Sequence, residues 1–356
     1  MNSNQKPRIA VLCNHPLAFP SIEALLKSEV LVGLGTPQIM HETSFRIQMI
    51  ADEKKIPFVM VDPSNTAKSI GDWLNKCKAD VVFVITFPYK IPEKVLKIPK
   101  YGFFNWHTGM LPAYKGADPI FWQIFNQEEY GGVTVHQMDA NFDTGPIVWM
   151  DKEKIPFDSK DPSDLKITQG LEVVNGAIAV KITQEDTYGQ HIQKLAIAAK
   201  KSTDFMLGKF LINPQEIILR PQDKSRSAYQ PKPDFSHLLI NWETMPSAQI
   251  KSLIRATNPV YGGAITFFRG VPVHLLQVSI GSAPNAPKVK PGSIISSGAK
   301  EGIVVLCNDN KLLRLDVLYT EDGFFTGGKL ASIFDIKEGE VFTSPPPNPF
   351  AEGAGN

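Results

Sequence analysis

The chain has little cysteine, no surplus of charge and no long apolar run. Its 356 residues hold three cysteines, Cys13, Cys77 and Cys307, far apart and never paired at metal-ligand spacing. That argues against a disulfide framework or a structural zinc site, and it predicts a metal-free protein of a reducing compartment. Lys plus Arg number 37 against 36 Asp plus Glu, a formal net charge of +1. No global basic field therefore announces nucleic acid, and no acidic field announces disorder. Nothing approaches a membrane span, and the opening "MNSNQKPRIAVLCNH" has too short an apolar run for a signal peptide. The expectation is a cytoplasmic protein with no membrane partner. A Gly-x-Gly-x-x-Gly turn is also missing. The first strand-to-helix connection reads "CNHPLAFPS", which sets aside a dinucleotide dehydrogenase, because close approach of a pyrophosphate needs those glycines.

What is present is a rhythm. "RIAVLC" (8–13), "VLVGLGT" (30–36), "PFVMV" (57–61) and "DVVFVIT" (80–86) are apolar runs of strand length, separated by stretches of helical periodicity around 20–28, 43–55 and 66–78. Strands alternating with helices at this interval predict βαβ units and a Rossmann-like, doubly wound α/β sheet. "GVTVHQM" (132–138) and "GPIVWMDKEKI" (145–155) read as two further strands joined by "NFDT". Residues 156–185 mix turn signals with short β-like runs and read as an excursion before a helix that opens at Asp186 with an acidic cap. These observations place a catalytic domain at 1–208. The polar, proline-bearing stretch 209–236 suits a linker. Five short strands with Gly-rich turns then predict a small C-terminal β-barrel, OB-like, over 237–343, with a flexible tail at 344–356.

Chemistry concentrates in "FFNWHTGMLPAYKGADP" (103–119) and "NFDTGP" (141–146). Asn105 and His107 are two apart, so on an extended strand they share a face. They stand at a strand's carboxyl end, where open α/β sheets bind ligands. Asp143 sits in a turn. An amide, an imidazole and a carboxylate together can orient a carbonyl, stabilise its oxyanion and take a proton from a nucleophile, which are the needs of acyl transfer. No Ser, Cys or Thr occupies a nucleophile elbow, so a covalent acyl-enzyme is not indicated. Each of the three has a blander reading as a strand-end or turn residue. His136 reads as solvent-facing or structural, and His15, beyond the first strand, as locally packed or facing an acceptor. Arg255 reads as a surface residue, and Tyr261, Phe267, Phe268 and Arg269 as barrel core more than a nucleic-acid platform.

"NWHTGMLPAYKGADPIFWQI" followed by "GVTVHQMDANFDTGPIV" resembles the formyltransferases that use 10-formyltetrahydrofolate, in their two-domain, methionyl-tRNA formyltransferase-like form. The family pattern is Asn-x-His-x-Ser-Leu-Leu-Pro, then a Gly, then Asp-x-Gly. Here it reads Asn105, His107, Met110, Leu111, Pro112, Gly116, and Asp143-Thr144-Gly145. The resemblance runs over nearly the whole chain. It implies that Asn105 and His107 bind the formyl oxygen and that Asp143 keeps His107 charged and helps remove the amine proton. It also implies a pterin pocket walled by "TFPYKIP" (Phe87, Tyr89, Ile91), by Met110, Leu111 and Pro112, and by "MDANFDT" (Asp139, Phe142).

Two departures bear on the acceptor. The family Ser is Gly109 here, and the basic insertion that methionyl-tRNA enzymes carry after the second strand is absent from "GLGTPQIMHETSFRIQMIADEKK" (33–55). From residue 205 onward, 15 Lys plus Arg stand against 13 Asp plus Glu, little for phosphate neutralisation. The sequence therefore leans to a small amine, such as an amino-sugar nucleotide or an amino-acid derivative. Initiator methionyl-tRNA is the alternative and hydrolysis of the formyl donor by water a second one.

Overall fold

Apolar runs that can hide only between two layers of helix account for the first half of the chain. The structure, a computed structural model, describes residues 6–39, 41–152, 171–282 and 288–344. Strand β1 (Ile9–Cys13) is buried at every position, as is β4 (Val81–Ile85). Between them come α1 (Phe19–Lys27), β2 (Leu31–Pro37), α2 (Glu42–Lys54), β3 (Phe58–Val61) and α3 (Thr66–Cys77). After β4 follow the short α4 (Glu93–Leu96) and β5 (Phe103–His107). These strands pair in parallel in the order β3-β2-β1-β4-β5. The order reverses between β1 and β4, which opens a crevice beyond their carboxyl ends. One face of the sheet packs Ala10, Leu12, Val82 and Val84 against Ile70, Trp73 and Leu74 of α3, all buried.

Next come β6 (Lys115–Gly116), α5 (Pro119–Phe125), β7 (Tyr130–Gln137), β8 (Ile147–Val148), β9 (Leu171–Val174) and β10 (Ala177–Lys181). Strand β7 runs antiparallel beside β5, with Asn105 opposite His136 and His107 opposite Thr134. The excursion expected at 156–185 contains the β9–β10 hairpin, and β10 pairs with β7. The part of the expected strand 145–155 past Lys152 lies outside the described residues, and within them only Ile147–Val148 is strand. Helix α6 (Tyr188–Ile212) starts two residues after Asp186, whose carboxylate instead accepts from the Thr183 N–H at 2.7 Å.

The first compact unit runs to Pro119 and takes in Glu129–Ile182 and Ile192–Pro231; the second takes Ile120–Glu128, Thr183–His191 and the chain from Lys232. Composition suggested a tether from 209, but most of that stretch returns to the first unit. Strand β11 (Leu219–Arg220) pairs with β8, and β12 (Tyr229–Gln230) pairs with β6. Two-residue strands whose partners are 70 to 115 positions away leave no local pattern, so polar composition here reflects exposure, not freedom.

In the second unit α7 (Ser247–Thr257) precedes β13 (Ala264–Phe268), β14 (Val271–Gly281), β15 (Ile294–Gly298), β16 (Gly302–Leu306), β17 (Leu312–Thr320), β18 (Gly323–Thr326), α8 (Gly327–Ile333) and β19 (Phe342–Thr343). The sheet order β15-β16-β17-β14-β13-β19 is antiparallel and curls. Its two ends meet where Ile294 N–H donates to Glu340 O at 2.8 Å and Phe342 N–H to Gly292 O at 2.9 Å, as an OB-like barrel requires. Trp242, Phe268 and Phe342 fill its interior, and Arg269 is held by Glu340 in two bonds of 2.8 Å. Arg255 is buried, not a surface residue, and donates to the carbonyls of Asp186 and Thr183. The tail at 345–356 lies outside the described residues.

Candidate active site

Strand β5 ends inside the crevice, and its last three residues set the site. Trp106 points into the core, with its indole N–H on Ala199 O at 3.2 Å. Asn105 and His107 therefore share the opposite face, as strand geometry demands. Asp143 comes from the turn after β7, at φ 54°, a left-handed conformation that Asp tolerates better than most side chains. Gly145 follows because a Cβ there would collide with Gln137 O. Gln222, from the stretch read as a linker, clamps this turn by donating to Asp143 O at 2.9 Å and Gly145 O at 2.8 Å.

The three expected groups converge. His107 Nδ1 is 3.4 Å from Asp143 Oδ1, both residues being buried. His107 Nε2 faces Tyr114 O at hydrogen-bond distance, and a carbonyl can only accept, so Nε2 carries a proton. Gly109 makes that approach possible, since a Cβ there would stand 2.8 Å from His107 Nε2 and 2.7 Å from Tyr114 O. Asp143 Oδ2 accepts the Gly116 N–H at 3.1 Å. The loop bearing Gly116 is itself braced by the β6–β12 pairing and by Ala228, which bonds Pro112 and Lys115.

The electrostatics follow from burial and these neighbours. Burial pushes the His107 pKa below its usual 6.5, outweighing the upward pull of Asp143 and the Tyr114 carbonyl. Burial raises Asp143, yet the His107 charge, His136 and the Gly116 N–H win, and its carboxyl lies well below the ordinary carboxylate range. The resting pair is a carboxylate beside a ring whose Nδ1 can take a proton.

His136 is the residue that sequence reasoning missed. It is buried, not solvent-facing, with Nε2 3.1 Å from Asn105 Nδ2 and 3.6 Å from Asp143 Oδ1. Its Nδ1 lies 3.2 Å from Gln137 O. The pattern fits a proton on Nδ1, leaving Nε2 to accept from the Asn105 amide. One amide hydrogen is so engaged and the other stays available. The signal was cross-strand register, which pairs positions 105 and 136 and is not readable from either strand alone.

The pocket positions divide. Phe87 and Tyr89, in edge-to-face contact with ring centroids 5.4 Å apart, pack with Met138 on one core cluster. The loops 86–92 and 138–144 are thus brought together. Ile91 and Leu111 are buried core residues, while Met110 and Pro112 are half-buried. Asp139 is tied to its own turn, accepting from Asn141 N–H at 3.0 Å and Thr144 Oγ1 at 2.6 Å. Phe142 is 55% exposed, an open apolar face.

An amide, an imidazole and an ionised carboxylate at the carboxyl end of a doubly wound sheet can together orient a carbonyl group and take up a proton, the needs of an enzyme that handles a carbonyl carbon. Residues 39–174 match the model of the formyl transferase family, and residues 236–324 match that of the formyl transferase C-terminal domain. A methionyl-tRNA formyltransferase of Trichlorobacter lovleyi is 30% identical over 315 residues, 86% of this chain and 87% of that one. The chain belongs to the formyl transferase family and is a formyltransferase; 10-formyltetrahydrofolate is the family's one-carbon donor. An N-formyltransferase of Helicobacter canadensis, solved with folinic acid and dTDP-3-aminofucose, superposes with a TM-score of 0.58 at 15% identity, over 87% of this chain and 99% of that one. HypX of Aquifex aeolicus superposes with a TM-score of 0.60 at 16% identity over 93% of this chain, which spans about half, 49%, of HypX. Among the described residues no helix is long and apolar enough to cross a membrane.

Proposed function

We propose that the protein transfers the formyl group of 10-formyltetrahydrofolate to a primary amine, with Asn105, His107 and Asp143 carrying the reaction. The Asn105 amide hydrogen not engaged by His136 meets the formyl oxygen as charge develops there. His107, neutral at rest with its proton on Nε2, takes the proton of the attacking nitrogen at Nδ1, and Asp143 stabilises the imidazolium that results. Collapse of the tetrahedral intermediate breaks the bond from the formyl carbon to N10. The proton held at Nδ1 is returned to N10, giving an N-formyl amine and tetrahydrofolate. Phe87, Tyr89 and Phe142 offer apolar surface for the pterin, while Ile91 and Leu111 support it from behind.

The acceptor reading is a small amine carried on a nucleotide. One observation carries it: Pro37 and Glu42 are the facing ends of β2 and α2, so residues 38–41 alone connect them, without a cation among them. A loop of four uncharged or imidazole residues brings no cation of its own to the phosphates of an acceptor stem. The names of the curated relatives favour the second reading, initiator methionyl-tRNA. The two separate by salt. With purified protein and the formyl donor, KM for tRNA is expected to rise about tenfold or more between 50 and 200 mM salt, whereas KM for an amino-sugar nucleotide changes little. Mass spectrometry of products from parallel acceptor panels reads out the formyl group. Formate release undiminished by leaving out every amine would replace transfer by hydrolysis.

His136 gives a further expected result. Replacing it with glutamine keeps an oxygen that can accept from Asn105, and kcat should stay within about threefold. Replacement with alanine frees the amide to rotate and should lower kcat about tenfold with an unchanged KM for the donor. Equal kcat in the alanine variant and the wild type would remove His136 from the site.

A further inference from the structure

The further reading rests on the proposed transfer to an amine and concerns how its carboxylate is kept in place. Strand β11 meets β8 antiparallel, with Leu219 opposite Val148 and Arg220 opposite Ile147. Trp149 N–H donates to Ile218 O at 2.8 Å. Bonded pairs alternate along such a ladder, so the next place to bond past Arg220 is Gln222 against Gly145. Backbone pairing has ended by then, and the side chain takes over. Gln222 Nε2 donates one hydrogen to Gly145 O at 2.8 Å and the other to Asp143 O at 2.9 Å. Both partners are carbonyls, which only accept, so the sense of the amide is fixed. Gln222 Oε1 is then left buried with no partner among the described residues. The side chain leaves its own acceptor unanswered and gives both hydrogens to one turn.

What the two bonds fix is the place of a carboxylate. The turn is exposed at Asn141, Phe142 and Thr144 and buried only at Asp143 and Gly145. Asp143 has φ 54°, a backbone state that surrounding contacts must hold. Among the described residues no other group donates to the Asp143 or Gly145 carbonyl. From that backbone the carboxylate has two torsions left. Gly116 N–H takes Oδ2 at 3.1 Å, which leaves Oδ1 3.4 Å from His107 Nδ1 and 3.6 Å from His136 Nε2. A reacting group moved by about 1 Å can lose on the order of a hundredfold in rate. The earlier part of the same loop is tied separately. Met138 N–H donates to Phe103 O at 2.8 Å, and Asp139 accepts from Asn141 N–H and Thr144 Oγ1. Gln222 therefore bears on the chemical step and not on the wall offered to the pterin.

We infer that Gln222 is a positioning residue for the reaction, holding the turn so that Asp143 meets His107, and that it acts through Asp143 alone.

The test is a double-mutant cycle on the full chain. Gln222→Met keeps the length of the side chain and removes both donors. Formyl transfer is followed with an amino-sugar nucleotide and with initiator methionyl-tRNA in parallel. Methionine is expected to lower kcat about thirtyfold while the donor KM stays within about twofold of the wild type. In an Asp143→Asn background the same substitution should cost no more than about a further twofold, because the group it positions is already gone. Gln222→Asn keeps the amide one carbon short and should lose about fivefold, again in kcat alone; it replaces methionine if that variant does not fold. The imidazole titration of His107, followed by NMR, needs no acceptor. Asp143 raises the His107 pKa, while His136 and Lys115 lower it, so either Gln222 variant should titrate at lower pH than the wild type. The inference is overturned if kcat falls less than about threefold in both variants, if the loss multiplies fully onto Asp143→Asn, if the donor KM rises in step with it, or if the His107 titration does not move. An impaired Asp143→Asn beside an unimpaired Gln222→Met sinks the inference alone, whereas a fully active Asp143→Asn ends the transfer mechanism with it.

Discussion

Turnover of a His107→Ala protein is expected to fall on the order of a hundredfold to a thousandfold, with donor affinity changed far less. The ring is buried between two acceptors, the Tyr114 carbonyl and the Asp143 carboxylate, and nothing else on β5 can hold a proton at that point. Losing a positioned base costs typically 10²- to 10⁴-fold. The lower part of that range is expected here, because Asp143 remains and can still receive a proton through water. Alanine also removes the ring's bond to the Tyr114 carbonyl and one of the neighbours of the Asp143 carboxylate, which keeps the Gly116 N–H; a hydrogen bond lost in this way costs roughly 0.5–1.5 kcal/mol of stability. Single-turnover transfer from bound donor therefore reads the chemical step, and donor affinity checks that the fold survives. Undiminished turnover would end the proposed mechanism.

Asp143→Asn is expected to lower kcat roughly a hundredfold or more and to move the pH profile in a stated direction. In the wild type the active form has a neutral His107, so activity is lost as pH falls through the His107 pKa, which lies below 6.5. Asp143 is the neighbour that raises that pKa. Removing its charge lowers it further, and the acid limb of kcat should shift to lower pH in the variant. A shift to higher pH would contradict the coupling. Stability gives an independent reading. The Asp143 carboxyl is held below its ordinary pKa of 3.8, so its ionised form stabilises the fold above about pH 4 and this contribution disappears as pH falls below that value. The gap in stability between wild type and variant should narrow with acidification, measured by denaturant unfolding from pH 7 to pH 3.

How much of this was legible in advance differs from element to element. Asn105 and His107 could be placed together because strand geometry fixes the direction of residues two apart. The alternation of buried strands and helices similarly showed a doubly wound sheet, since only that layering hides "IAVLC" and "VVFVI" on both faces. The helix after Thr183 was misread at its start, where Asp186 resembles a cap but bonds backward to Thr183. His136 and Gln222 escaped notice for a different reason. Each acts across a gap in sequence, 31 residues to Asn105 and 77 to Gly145, and no local spacing encodes that.

The sequence by itself determined the layers, the family motif and which three side chains are proposed to react, because periodicity and short-range backbone geometry are local properties. Tertiary structure alone decided which nitrogen of His107 carries its proton, how Asn105 is oriented, and that the stretch after α6 braces the site. Those outcomes depend on antiparallel register and on carbonyls supplied by distant loops. Such partners are chosen only when the whole sheet has closed around them.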